Sequence, residues 1–169
     1  MSEHTLEPRW LDEDEQGVWR DYLRGSRLLE SALDHDLQAH GLQLSEYEIL
    51  SMLSESPDRR LRMSVIADLV VQSRSRLTHT AGRLENRGWV RREACARDKR
   101  GVELVLTDTG FAEITRMAPT HVGSVRANLL DHLSRGDLLA LGRAMAAISN
   151  GILSTGLCDD VRATEEQHA

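Results

Sequence analysis

Two short stretches carry side chains of types and spacings that could do chemistry. The first, SRSRLTHTAGRLEN from Ser73 to Asn86, sets Arg74, Ser75, Arg76, Thr78, His79 and Arg83 along one run with no carboxylate before Glu85. Hydroxyl and imidazole groups can hydrogen-bond base edges or phosphate oxygens, and arginine offers a planar fork that matches guanine O6 and N7. The second, RDKRG from Arg97 to Gly101, contains Arg97, Asp98, the chain's single lysine Lys99, and Arg100. Its three cations can neutralise phosphates, and an arginine suits a narrow groove of enhanced negative potential. Asp98 can hold the Arg100 guanidinium in an extended rotamer, form an Asx-type turn, or do both. The plainer reading of RDKRG is a solvated hairpin turn. If the stretch has a function, the chemistry on offer is recognition of an anion, not bond-making.

Charge distribution bears on the choice. The 169-residue chain has a net charge of −6 at pH 7, which taken alone argues against a polyanionic partner. Between Pro57 and Gly101, however, 12 positive residues face five negative ones, a net of +7, and the remainder carries −13. This is the layout of a basic working face on an acidic scaffold. The alternative is an arginine-rich surface helix balanced by acidic helices elsewhere.

The elements that would position these residues can be read from apolar periodicity. From about Asp12 to His40, Val18, Tyr22, Leu29, Ala32, Leu33 and Leu37 recur at helical steps, and Gly41 follows as a helix stop. Ser45 and Glu48 match a capping box, with Leu44 and Ile49 at the staple positions, so a helix is expected from Glu46 to before Pro57. A short helix fits Ser64 to Val70. Ser73 can cap the next helix, which runs to about Arg87 with Leu77, Ala81 and Leu84 inward and Gly88 as its stop. Trp89–Ala94 and Val102–Thr107 read as two strands joined through Gly101. A helix from about Asp108 carries Phe111, Ile114, Met117, Val122, Val125 and Leu129. Another, after Ser134, carries Leu138, Leu141, Met145, Ile148 and Ile152. Residues 155–169 are polar and aperiodic and are expected to be a flexible tail.

A short helix, the tight VVQS connection and a second helix make a helix-turn-helix, whose second helix would enter a major groove. The rival is an αα-corner with a basic exterior. A strand pair directly after that helix turns the motif into a winged helix with RDKRG as the wing tip. Here the chain resembles the multiple-antibiotic-resistance-regulator (MarR) family of bacterial transcription factors. The resemblance is carried by LSEYEILSMLSES, MSVIADLV, SRSRLTHTAGRLENRGWVRRE and DKRGVELVLTDTG. The last matches the family's wing signature of Asp, any residue, Arg, alternating apolar residues and Leu-Thr-x-x-Gly.

The resemblance implies a mainly α fold with a small β-hairpin wing, its winged helix-turn-helix core flanked by N- and C-terminal dimerisation helices. The corresponding parts are 10–40 for the first dimerisation helix, 42–108 for the winged helix-turn-helix, and 109–154 for the C-terminal helices. It also implies a homodimer that binds a pseudo-palindromic site in double-stranded DNA, as a repressor or other regulator. Ser73, Arg74, Ser75, Arg76, Thr78, His79 and Arg83 would face the major groove, and Arg97, Asp98, Lys99 and Arg100 would form the wing, with Arg100 in the minor groove. Dimerisation has independent support, because the stripe Leu138, Leu141, Met145 and Ile148 has little core of its own to cover. The family's usual control by a small molecule, here an aromatic or phenolic effector, draws attention to Trp19, Tyr22 and Tyr47. Core or dimer packing explains those rings equally well.

Other functions find less support. The sequence has no GxSxG, HExxH or P-loop, its histidines show no ligand spacing, and its two cysteines form no CxxC pair, so no catalytic site, metal or cofactor is expected. A winged-helix protein-interaction module without DNA binding, and a small helical enzyme or ligand carrier, stand as alternatives. Cys95 lies close to Arg91, Arg92 and Arg97, which would favour its thiolate. With no apolar span of membrane length and no secretory leader visible, a cytoplasmic location is expected.

Overall fold

A computed structural model describes residues 8–95 and 101–154. The first helix, α1 (Glu13–Gln38), starts where Asp12 accepts a hydrogen bond from the Glu15 amide at 2.8 Å. Glu15 returns one from the Asp12 amide at 3.0 Å, and three acidic residues in the first turn suit the positive end of the helix dipole. Gly41, at φ +78°, turns the chain into α2 (Leu44–Glu55). This helix begins two residues before the position that the Ser45–Glu48 pattern implies. The reason lies 10 residues back in the chain: Asp34 of α1 accepts from the Leu44 amide at 2.8 Å, while Glu46 accepts from the Gln43 amide at 3.0 Å. Glu46, not Glu48, closes the helix start.

After a 3₁₀ turn at Pro57–Arg59 the chain forms a short strand, β1 (Arg60–Arg62), which periodicity alone does not reveal. The helix pair follows as α3 (Met63–Leu69) and α4 (Arg74–Asn86), with Gly88 at φ +72° after it, as a helix stop requires. Strands β2 (Val90–Ala94) and β3 (Val102–Leu106) pair antiparallel, Val90 opposite Leu106 and Arg92 opposite Leu104. The sheet order is β1-β3-β2, so β3 is the middle strand and Leu61 also lies opposite Leu104. This central place explains why Val105 is buried along with Leu104 and Leu106 in place of a clean alternation. Its neighbours across the ladder are Arg60 and Arg91, whose aliphatic stems can cover it.

The chain then enters α5 (Asp108–Asn128), passes a 3₁₀ turn at Leu130–His132, and ends in α6 (Arg135–Ser154). The Leu-Thr-x-x-Gly run at the start of α5 has a local explanation. The Thr107 hydroxyl accepts from the Gly110 amide at 3.0 Å and reaches the Gly88 and Trp89 carbonyls at 2.7 and 3.0 Å. Gly110 sits so close to the residue before β2 that a Cβ there would lie 2.0 Å from the Trp89 carbonyl oxygen. Only glycine fits. Leu37, Ile49, Leu50, Leu53, Ile66, Leu77, Leu84, Leu104 and Met117 form one core spanning α1 to α5. By contrast α6 contributes no buried residue. None of the described helices is long and apolar enough to cross a membrane.

Candidate nucleic-acid interface

The helix α4 is anchored by Leu77, Ala81 and Leu84, which lie wholly or almost wholly inside. The helical repeat then forces Arg74, Ser75, Thr78 and His79 outward together, with Arg76 beside them, and all five are exposed. Ser73 caps the helix, its hydroxyl accepting from the Arg76 amide at 3.2 Å. Thr78 donates to the Arg74 carbonyl at 2.8 Å, leaving its lone pairs outward. Among the described residues, Ser75, His79 and the Arg76 guanidinium make no hydrogen bond or ion pair with the protein. The first turn of α4 thus has no acid and two arginines. Cations at the positive end of a helix are unfavourable by themselves, and an external anion relieves the mismatch. A concavity of about 460 Å³ lies along this face, lined by Ser45, Ser73, Ser75, Arg76, His79 and Arg83.

Arg83 behaves differently from the other expected contacts. Its Nε donates to Glu46 at 3.0 Å and its Nη2 to the Gln43 side chain at 2.5 Å. The Nε–Nη2 edge, the fork that would read a guanine, is already engaged within the protein. Much of the basic segment is likewise consumed. Arg59 pairs with Asp108, Arg60 with Glu93 and Glu103, Arg91 with Glu93, and Arg92 with Glu85. The Glu93 carboxyl is held below its ordinary range, chiefly by the hydrogen bond from Arg91. Counting charges along the chain therefore overstates the positive field that these arginines present.

The hairpin is bolted to α4. Arg92 of β2 donates to the Thr78 carbonyl at 2.8 Å and to Glu85 at 3.0 Å. The Cys95 amide donates to the Gly101 carbonyl at 2.9 Å, closing the root of the wing. The expected tip residues Arg97, Asp98, Lys99 and Arg100 lie outside the described residues. Cys95 is buried, and the guanidinium that reaches its Sγ, at 3.2 Å, belongs to Arg62 of β1. Arg91 and Arg92, its neighbours in sequence, are spent on Glu93 and Glu85, because strand alternation and the third strand decide what meets the thiol.

The three aromatic residues weighed as an effector site do not come together. Trp19 and Tyr22 stack on exposed α1 with ring centroids 6.0 Å apart, whereas Tyr47 is buried against His121, centroids 4.1 Å apart. Burial raises the pKa of the Tyr47 hydroxyl, with Glu55 adding, and lowers that of His121. A larger cavity, about 590 Å³, opens between α1, α2 and the α3–α4 turn, with Arg27, Glu30, Glu48 and Arg76 on its walls. Glu48 is pushed above the usual carboxylate pKa by burial and by Glu30, with Arg76 opposing. Among the described residues no group of three or more His, Cys, Asp or Glu side chains is placed to hold a metal ion.

This arrangement has counterparts in known proteins. The MarR family model matches residues 40–101, from just after α1 to just before β3. Sco3205, a MarR family transcriptional regulator from Streptomyces coelicolor solved in complex with DNA, is 45% identical, with a TM-score of 0.82 over 87% of this chain and 92% of that one. The chain belongs to the MarR family. A second MarR family transcriptional regulator from the same organism, AbsC, is 44% identical over 87% of this chain and 99% of its own, also with a TM-score of 0.82. The curated regulator PecS of Dickeya dadantii (strain 3937) is 36% identical over 104 residues, 61% of this chain and 63% of PecS. The chain thus matches less than two thirds of that relative's length. MarR membership makes it a transcriptional regulator with the winged-helix architecture that its sequence resembles. Sequence reasoning about the site missed Gln43, Glu46, Arg87 and Arg92, whose partners are far away in the chain.

Proposed function

We propose that this MarR regulator binds a pseudo-palindromic site in duplex DNA as a homodimer and acts by occupancy, as a repressor, with no catalytic step of its own. The observation that carries the reading is the outer face of α4, where Arg74, Ser75, Arg76, Thr78 and His79 stand together, exposed, at a helix start whose first turn contains no acidic residue. In this reading α4 lies in the major groove, and the hairpin bolted to it by Arg92 lays its tip in the neighbouring minor groove, Arg100 as the probe. The dimer would form through α1, α5 and α6, where Trp19, Tyr22, Leu141 and Ile148 remain exposed in the single chain. Such a protein works in the compartment that holds DNA, the cytoplasm of a bacterial cell. The cavity that shares Arg76 with the α4 face supports release by a small effector, one complementary to its mixed charges more than to an aromatic cage.

The test is selection of bound fragments from genomic DNA, followed by titration of the recovered site against salt. Affinity should fall by about 0.9 log units per phosphate contact for each log unit of salt, and a flat profile would sink the electrostatic argument. Replacing Arg100 with Ala should weaken binding by more than about twofold, with no change in fold, if the tip enters a groove.

A further inference from the structure

The carboxylate of Glu46 is 1% exposed, yet it sits opposite two arginines of the recognition segment. Arg83 Nε lies 3.0 Å from Oε1 and Arg87 Nη1 lies 4.0 Å from Oε2. The same Oε2 accepts from the Gln43 amide, the Gln43 side chain accepts from Arg83, and Arg87 donates to the Gly41 carbonyl at 2.7 Å. Arg87 also lies over the Trp89 ring, 4.7 Å from its centroid, just before β2. A single enclosed charge therefore joins the loop after α1, the first turn of α2 and the C-terminal end of α4. Enclosing a carboxylate costs solvation that the ion pair roughly returns, so the worth of such a group lies in orientation more than in net stability.

We propose that Glu46 is a positioning residue: it moors the C-terminal half of α4 through Arg83 and Arg87, so that these arginines aim the recognition helix instead of reading DNA. The acid-free first turns do the contacting, and the moored end sets the angle at which they meet the groove. Because the mooring runs through Gly41 and Gln43, it also ties that angle to the end of α1, one of the helices assigned to the dimer.

This inference rests on the DNA-binding reading for its effect on affinity, but not for its structural core. The experiment uses the full chain and its recovered DNA site, with Glu46→Gln, Arg83→Ala, Arg83→Lys and the double variant Glu46→Gln/Arg83→Ala. Each single variant should lower affinity about tenfold, leave the preference at every base pair and the salt slope unchanged, and the double should be no worse than either single. Arg83→Lys should behave like Arg83→Ala, since a lysine keeps the charge but cannot bridge Glu46 and Gln43 together. A relaxed preference at one base pair in Arg83→Ala, or a salt slope smaller by about one contact, would overturn the proposal, as would full affinity in Glu46→Gln. If Glu46→Gln does not fold, the base-preference profile of Arg83→Ala decides by itself. Should the wild-type chain bind no DNA, hydrogen exchange still decides: amides 74–86 must exchange faster in Arg83→Ala, and unchanged protection overturns the mooring.

Discussion

In the winged-helix part, Ile49, Leu50, Leu53, Ile66, Leu84 and Leu104 are wholly enclosed, whereas the helix α6 contributes no buried side chain and α1 only Leu37. Yet α6 exposes Leu139, Leu141, Ile148, Ile152 and Leu153, and α1 exposes Val18, Trp19 and Tyr22. Both regions have apolar stripes at helical spacing. The difference is that α2 to β3 close on one another within one chain, while among the described residues α6 buries none of its stripe and α1 buries only Leu37. A long apolar helix without a buried residue fits one half of the proposed symmetric interface, and it would place the winged-helix part and that surface under different physical rules.

That contrast can be broken from either side. If the proposed dimer forms through this stripe, charging it with Leu141→Glu and Ile148→Glu should remove two interface anchors, at roughly 2 kcal/mol or more each, and leave a monomer by light scattering. The winged-helix head should keep its helical signal and near-UV spectrum; their collapse would mean that α6 belongs to the core after all. On the other side, Gly110→Ala must push a methyl group into the Trp89 carbonyl, and should cost about 3 kcal/mol in denaturant unfolding. A loss below about 1 kcal/mol would show that the start of α5 can shift, and the head would be less tightly determined than its packing indicates.

Smaller effects sharpen the same boundary. Val71, in the turn between α3 and α4, is a β-branched residue at φ +49° with 84% of its surface exposed. Glycine relieves that strain and loses no packing, so Val71→Gly should raise stability by up to about 1 kcal/mol once the added freedom of the unfolded chain is deducted. A net loss would show that the valine side chain holds the turn. The smallest expected change is a pH effect where head and outer helices meet. Burial lowers the pKa of His121, whose Nδ1 has no hydrogen-bond partner among the described residues, so the folded chain resists a proton that the unfolded chain takes up near pH 6.5. Stability should therefore fall as pH drops from 6.5 towards the lower folded value, and His121→Phe should flatten that window while keeping a ring against Tyr47. Glu48 acts in the opposite sense. Its raised pKa makes stability fall as pH climbs above 4.5, so Glu48→Gln should stabilise the chain at neutral pH and have no effect once both forms are protonated.

What the sequence by itself determined is whatever depends on near neighbours along the chain. The Ser73 cap reaches only to Arg76, Gly88 answers a local need for positive φ, and the stripe of Leu77, Ala81 and Leu84 selects the outer face of α4 by helical geometry alone. The resemblance to the MarR family rests on the same kind of local pattern, and so do the strands beside the wing. The tertiary structure decided the rest. Asp34 moved the start of α2 to Leu44, and β3 drew the RLR segment into a third strand that no alternation announces. Its place on α4 offers Arg83 as a base contact, and only the fold shows its guanidinium engaged by a glutamate 37 residues earlier in the chain. Periodicity reports which face a residue occupies. It cannot report which distant charge reaches that residue first, because the choice depends on how the helices cross.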